Sequence, residues 1–371
     1  MLMLQTQLRN QIEQRKSEGI LRKLRTSKES IDFCSNDYLG LTRDKFFQKK
    51  ISEIAFENPR LLIGSTGSRL ISGNSENTMQ TESFLAKTHG NESALLFPSG
   101  YKANLALFSC IAKRTDTILV DELIHRSVHD GCSLSQATKW KFKHNNLNHL
   151  ESLLKKATGN IIIAIESLYS MDGDFAPLKD ITELASRYQA NLIVDEAHAM
   201  GVFGKGLVSQ NQLQNKVFST VVTYGKAMGL NGAAILGSQV LKEYLVNFAS
   251  PFIYSTAASD FQSLSIRASY KYIDTHTDLR LTLQKNIEYF RSHQVHSISQ
   301  EKSPIQIVQF PFSIKLRQAA AELSAIGFQT YPVFAPSVKQ GSERLRICLH
   351  QFNSYTEIDR LCDIIKKHQH A

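Results

Sequence analysis

Ile161-Ile162-Ile163-Ala164-Ile165 is an unbroken aliphatic run that stops at Glu166. Lacking any polar alternation, a strand built from it must be covered on both faces. Similar strands are read at residues 94–97, 117–120, 140–143, 191–194 and 218–223, most of them ending in a polar turn. Helical stretches separate them, notably at 147–156 and 178–188, and Tyr101, Leu105, Phe108 and Ala112 mark one helix face. Buried strands alternating with helices predict an α/β fold whose sheet is mostly parallel.

Beyond about residue 260 the spacing changes. A long helical stretch at 260–290 leads into strands at 305–310 and 329–333, with a helix at 314–326 between them and a strand at 345–349 after them. Ser354-Tyr355-Thr356-Glu357 is a capping box that opens a last helix, burying Ile358, Leu361, Cys362 and Ile365. Three parts are expected: an N-terminal segment at 1–45, a large domain at 46–260 and a smaller C-terminal α/β domain at 261–371. The first of these begins with a predicted amphipathic helix ending near Gly19.

A chain of 371 residues can build such cores without staples. Its five cysteines, Cys34, Cys110, Cys132, Cys348 and Cys362, are odd in number and lack CxxC spacing. That pattern predicts reduced thiols, a cytoplasmic location and no metal site. The longest aliphatic run is too short to cross a membrane, and residues 1–14 lack the apolar centre of a secretion signal. The net charge of +9 is spread along the chain, which points away from nucleic acid and toward local docking of an anionic substrate.

The chemistry sits in the turns. Thr223-Tyr224-Gly225-Lys226-Ala227-Met228-Gly229 places a lysine between glycines, just past a β-branched run. Such a lysine is either a solvated surface charge or a partly desolvated amine able to attack a carbonyl. Asp195 and His198 follow another strand, where open α/β sheets collect ligands, although a capped turn needs the same residues. His125 is either a hydrogen-bonded structural residue or an imidazole lying flat on a planar ligand. Ser99-Gly100-Tyr101 opens a helix whose first N–H groups suit a phosphate. Ser170-Met171-Asp172-Gly173-Asp174 reads locally as an Asx turn. The loop at 64–69 lacks the strand–GxGxxG–helix setting of a dinucleotide site. A lysine, a carboxylate, a flat imidazole and a phosphate cradle together suit pyridoxal 5′-phosphate (PLP), whose protonated ring is an electron sink.

The motifs SNDYLGL (35–41), GSTGSRLISGN (64–74), FPSGYKAN (97–104), DELIH (121–125), YSMDGD (169–174), VDEAHAMGVFG (194–204), TYGKAMG (223–229) and RLRICL (344–349) stand in order along the chain. In these the sequence resembles the α-oxoamine synthases, fold-type I PLP-dependent transferases, over nearly its whole length. The resemblance implies that Lys226 is the Schiff-base lysine and proton shuttle. It implies that Asp195 pairs with the ring nitrogen, His198 with the ring oxygen, that His125 stacks on the ring and that Ser170 lies near its edge. Thr223, with the backbone of Gly100 and Tyr101, would hold the phosphate, completed by Ser255 or Thr256 of a partner in a homodimer. Arg346, aided by Asn36, would bind the amino-acid carboxylate, and Arg22 matches an arginine at the acyl-substrate entrance. Cys348 stands where the family often has threonine, which bears on the acyl-chain fit.

Within the family, the continuation of TYGKAMG into LNGAA and the IYSTA stretch at 253–257 resemble one member most. That member joins L-alanine to a pimeloyl thioester of coenzyme A or an acyl carrier protein in biotin biosynthesis. Sister synthases that take glycine or serine share the machinery. An aminotransferase shares the fold and the Lys–Asp pair but not the GSTGSR and YSMDGD set, and a catalytically silent ligand-binding homologue would not need Lys226 and Asp195 both intact.

Overall fold

The computed structural model describes residues 2–18, 20–22, 24, 30–335 and 338–369. Helix α1 (Leu2–Ser17) forms where expected, and the end expected near Gly19 falls outside the described residues. Its described side chains are exposed on every face, so no apolar stripe is buried within the protomer. A two-residue strand, β1 (Ile31–Asp32), leads to α2 (Lys45–Glu57), which Asp44 caps by accepting from the N–H groups of Phe46 and Phe47.

The chain then alternates. It runs α3 (Glu76–His89), β2 (Ser93–Phe97), α4 (Gly100–Cys110), β3 (Thr117–Asp121), α5 (Arg126–Leu134) and β4 (Thr138–Phe142). Next come α6 (Leu147–Leu154), β5 (Ile161–Glu166), α7 (Leu178–Arg187), β6 (Asn191–Asp195), the short α8 (Leu207–Gln210) and β7 (Ser219–Thr223). β8 (Ala233–Gly237), α9 (Gln239–Phe248) and α10 (Ser250–Ile253) complete this part. Seven strands form one sheet in the order β2-β8-β7-β6-β5-β3-β4. The five from β7 to β4 are parallel, and β8 runs antiparallel between β7 and β2.

Helices cover both faces, and the apolar side chains separate into clusters accordingly. Ile118, Val120, Ala164, Ile193 and Val221 point one way, toward α4 and α5. Leu119, Ile163, Ile165, Leu192 and Val194 point the other, toward α6 and α7. The period-2 alternation of strand side chains, apolar on both phases, is why the 161–165 run had to be buried.

The 260–290 stretch is two helices, α11 (Asp260–Thr275) and α12 (Asp278–Ser292), parted where His276 leaves helical geometry. They lead to β9 (Ile305–Gln309), α13 (Ser313–Ala325), β10 (Phe328–Gln329), β11 (Tyr331–Val333), β12 (Arg344–Cys348) and α14 (Tyr355–Gln369). The single strand expected at 329–333 is broken at Thr330, and its halves join different sheets. β11, β12 and β9 form an antiparallel sheet, while β10 pairs in parallel with β1. That β1–β10 pair, with Cys348 N donating to Phe33 O at 2.8 Å, fixes the SNDYLGL segment against β12.

Candidate active site

The register of the seven-stranded sheet gathers the polar strand ends on one edge. Glu166 is level with Asp195, Asp195 with Val221, and Phe97 and Thr223 both with Ala233. The turns that follow β2, β3, β6 and β7 therefore open onto one cavity of about 250 Å³. Its wall includes Gly100, Tyr101, His125, Asp195, His198, Thr223 and Lys226. Seven of the residues singled out in the sequence thus meet around a single space.

Lys226 is half-buried at the end of β7. Burial lowers its amine from the ordinary lysine value to about 8, against the pull of the Asp195 and Glu166 carboxylates in the other direction. Asp195 is buried and needs donors. It accepts from Asn104 Nδ2 at 2.7 Å and from Ala197 N at 2.9 Å. Asn104 Nδ2 also donates to Ser127 Oγ at 3.0 Å, and Ser127 Oγ lies 2.7 Å from His125 Nδ1. A buried chain of polar groups thus joins the carboxylate to the imidazole opposite it. His125 caps α5 and donates its own backbone N–H to Glu166 Oε1 at 2.6 Å. Burial drives the His125 and His198 rings below the usual histidine range, so both are neutral acceptor–donor groups near pH 7.

Where α4 meets the cavity, Ser99 caps the helix by accepting from Lys102 N at 3.3 Å. The N–H groups of Gly100 and Tyr101 open the helix, where no intrahelical acceptor is available. A Cβ on residue 100 would meet Thr223 Cγ2 at 2.5 Å, so only glycine lets this helix start approach the end of β7.

Arg346 stands beside the cavity, buried on β12. Its Nε donates to Ser170 O at 2.7 Å, Nη2 to Asn36 Oδ1 at 3.0 Å and Nη1 to Cys348 Sγ at 3.0 Å. The thiol occupies the position where threonine was expected, and it serves as a partner of the guanidinium. Tyr38 joins this group to the cavity, bonding Asn36 Oδ1 at 3.1 Å and His198 Nδ1 at 2.8 Å. On the other side of Lys226 lies a second cavity of about 640 Å³, walled in part by Asn36, Gly225, Lys226 and Asn231.

Three expected residues lie elsewhere in the protomer, and Ser170 is also outside the cavity wall, its carbonyl held by Arg346. Thr256 and Ser255 line a separate hollow beside Arg69 and Phe252, outside the wall of the Lys226 cavity. Lys102 Nζ donates to the Ser255 hydroxyl. Arg22 is exposed and is absent from that wall as well.

Three contributors were not singled out in the sequence. Asn104 was visible as the residue one helical turn after Gly100, hence on the same face. Glu166 was visible as an acid closing a fully apolar strand; burial, reinforced by Asp195, raises its carboxyl well above the usual range. Tyr38 belongs to the SNDYLGL motif, but only the β1–β10 pairing brings it to His198.

These residues fit PLP. A buried carboxylate held by Asn104, a neutral imidazole across the cavity, an amine at its rim and a helix start cleared by glycine match its ring nitrogen, ring face, aldehyde and phosphate. Residues 28–365 match the family model of aminotransferase class I and II.

The chain belongs to that family, in its α-oxoamine synthase branch.

It has the fold-type I architecture and the PLP site that go with it. It is 35% identical over 391 residues to the 8-amino-7-oxononanoate synthase of Emericella nidulans, covering 98% of this chain and 95% of that one. It is similar in structure to the 8-amino-7-oxononanoate synthase of Francisella tularensis, with TM-score 0.78, 28% identity and coverage of 91% and 97%. The fold is shared also with a serine palmitoyltransferase from S. paucimobilis, at TM-score 0.87, 22% identity and coverage of 97% and 96%. Among the described residues no helix is long and apolar enough to cross a membrane.

Proposed function

We propose that the protein condenses L-alanine with a pimeloyl thioester, of coenzyme A or an acyl carrier protein, to give 8-amino-7-oxononanoate, CO₂ and free thiol in biotin biosynthesis. The observation that carries this reading is the Lys226–Asp195–His125 cavity with the Arg346–Asn36 pair one tyrosine away. The names of the Emericella nidulans and Francisella tularensis relatives support the same choice of reaction.

When bound, PLP supplies the electron sink that makes the amino acid's α-proton acidic. The chain's own residues do the rest. Asp195, with Asn104 behind it, holds the proton on the ring nitrogen, and His125 covers the ring face. Ser170 flanks the ring edge, and neutral His198, set by Tyr38, meets the ring oxygen. Thr223 and the N–H groups of Gly100 and Tyr101 grip the phosphate. Lys226 Nζ takes the α-proton and later returns one, a role for which its lowered basicity suits it. Arg346, with help from Asn36, would clamp the alanine carboxylate through its N–H groups and so fix the orientation of the amino acid. The 640 Å³ cavity beyond Lys226 takes the acyl chain; buried Cys348 would act on the fit only through its bond to Arg346, and Arg22 matches the arginine of an acyl-substrate entrance. Ser255 or Thr256 serves the partner's phosphate site in a homodimer, and the reduced thiols suit the cytoplasm.

The test offers PLP-loaded protein alanine, glycine and serine, each with pimeloyl and short-chain thioesters, and measures released thiol. Thiol release with alanine and the pimeloyl thioester, at least about tenfold above the other pairs, is expected. Turnover confined to glycine and a short acyl thioester would assign a sister synthase of the 2-amino-3-ketobutyrate or 5-aminolevulinate type instead. Amino exchange without thiol release would make it an aminotransferase.

A further inference from the structure

His144 lies two residues past β4, the edge strand of the seven-stranded sheet, and outside the wall of the Lys226 cavity. Both of its ring nitrogens are engaged by carboxylates. Nδ1 is 2.9 Å from Asp121 Oδ1, and Nε2 is 2.7 Å from Asp174 Oδ2. The edge of its ring packs on Tyr169, with centroids 4.5 Å apart at 86°. Asn145 repeats the pairing. Its N–H donates to Asp121 Oδ2 at 3.0 Å and its Nδ2 to Asp174 Oδ2 at 2.8 Å. To do so its backbone takes a left-handed φ of 50°, a conformation asparagine tolerates better than most residues. Two successive residues, His144 by its ring and Asn145 by its backbone N–H and its amide, therefore tie the same two carboxylates together.

Those carboxylates hold the turns that carry site residues. Asp121 closes β3 and accepts from Leu123 N at 2.9 Å, and the turn it organises ends at His125. Asp174 closes the turn that contains Ser170, through Tyr169 N to Asp174 O at 2.9 Å and Gly173 N to Tyr169 O at 3.0 Å. Gly173 has φ +65°, and a Cβ there would strike Ile305 O at 2.3 Å, so this turn is also pressed against β9. From the β12 side, Arg344 Nη1 donates to Asp172 Oδ1 at 2.5 Å and Arg346 Nε to Ser170 O. The Ser170 turn is thus gripped between the C-terminal sheet on one side and His144 on the other.

We propose that His144 is a positioning residue: by bridging Asp121 and Asp174 it sets the spacing between the turn that delivers His125 to the ring face and the turn that delivers Ser170 to its edge. This rests on the reading of His125 and Ser170 as residues in contact with PLP. Burial disfavours a charged imidazole, but the two carboxylates outweigh it and hold the ring protonated, with its pKa up to about 10. Both N–H donors are therefore present throughout the neutral range, one for Asp121 Oδ1 and one for Asp174 Oδ2.

The test compares His144→Gln, which keeps one donor and loses the charge, with Asp174→Asn, which removes the charge and one acceptor oxygen from the arm to the Ser170 turn. Induced circular dichroism of bound PLP and steady-state rates with alanine are read for both and for the double variant. Expected is a weakened or reshaped dichroism band and a kcat lower by about ten- to a hundredfold, with KM for alanine within about twofold. The double variant should be little worse than either single one, because both break the same bridge. Should His144→Gln fail to fold, Asp174→Asn decides the question by the same readings. A lowered melting temperature with unchanged dichroism and kcat per folded molecule would overturn the proposal and leave a structural tie. Wild-type protein that takes up no PLP, or turns over nothing, would instead strike at the underlying reading, before either variant is made.

Discussion

Lys226 faces two spaces at once, the 250 Å³ cavity with Asp195 and His125 and the 640 Å³ cavity beyond it. An amine in that place must be able to lose its proton, and burial lowers its pKa to about 8. The neutral amine is the nucleophile, so PLP capture by the unloaded protein should be slow at pH 6. Its rate should climb as pH rises through about 8 and then level off, about two units before an ordinary lysine would. Stopped-flow absorbance checks this. Lys226→Ala should give colourless protein after incubation with PLP and borohydride-free dialysis, with turnover lower by at least about a thousandfold. None of this could be read from Lys226 alone, since a lysine between glycines looks the same when solvated. Asp195, His125 and the helix start at Gly100 were needed before the chemistry became legible. Asn104 and Glu166 escaped notice because a polar residue inside a helix or closing a strand carries no label until its neighbours are known.

At the scale of elements, α4 and β7 meet where Gly100 lies against Thr223. Gly100→Ala forces a Cβ into Thr223 Cγ2, so the helix start must retreat from the proposed phosphate position. The protein should stay folded, and its Kd for PLP measured by fluorescence titration should rise by about tenfold or more. His144 gives a second prediction of this kind. Its folded pKa of about 10 lies above the ordinary histidine value of 6.5, so its bridge contributes fully below pH 6.5 and is lost as pH climbs toward 10. The stability gap between wild type and His144→Gln, measured by urea unfolding, should therefore be widest near pH 6 and close by pH 10. Elements with uniform burial were readable from the sequence, β5 and β6 above all. β8 was missed because Ala233-Ala234-Ile235-Leu236-Gly237 is short, small and flanked by glycine, and its place between β7 and β2 depends on pairing. The break at Thr330 has the same cause: β10 leaves to pair with β1, nearly 300 residues away in sequence.

For the whole molecule, the α/β class and the change of pattern near residue 260 were legible in the apolar spacing. What spacing could not supply is the joining of distant segments. Asn36 meets Arg346 because β1 pairs with β10 and Phe33 bonds Cys348, contacts with no local signature. Thr256 lies outside its own protomer's Lys226 cavity, and the proposed homodimer would have to carry it to the partner's phosphate site. Mixing Lys226→Ala with Thr256→Ala subunits after reversible dissociation should then restore about a quarter of wild-type turnover, because hybrid dimers hold one intact site. Activity no higher than the sum of the two parents would place that hydroxyl outside the site.

The reaction itself is open to direct measurement. Protein loaded with PLP is given alanine labelled with ¹³C at the carboxyl carbon and a pimeloyl thioester, and both the gas and the product are analysed by mass spectrometry. The label should leave entirely as CO₂, one per thiol released, and an unlabelled amino-oxononanoate should keep the methyl and α-carbon of alanine. Label retained in the organic product, or thiol released without CO₂, would contradict the proposed reaction.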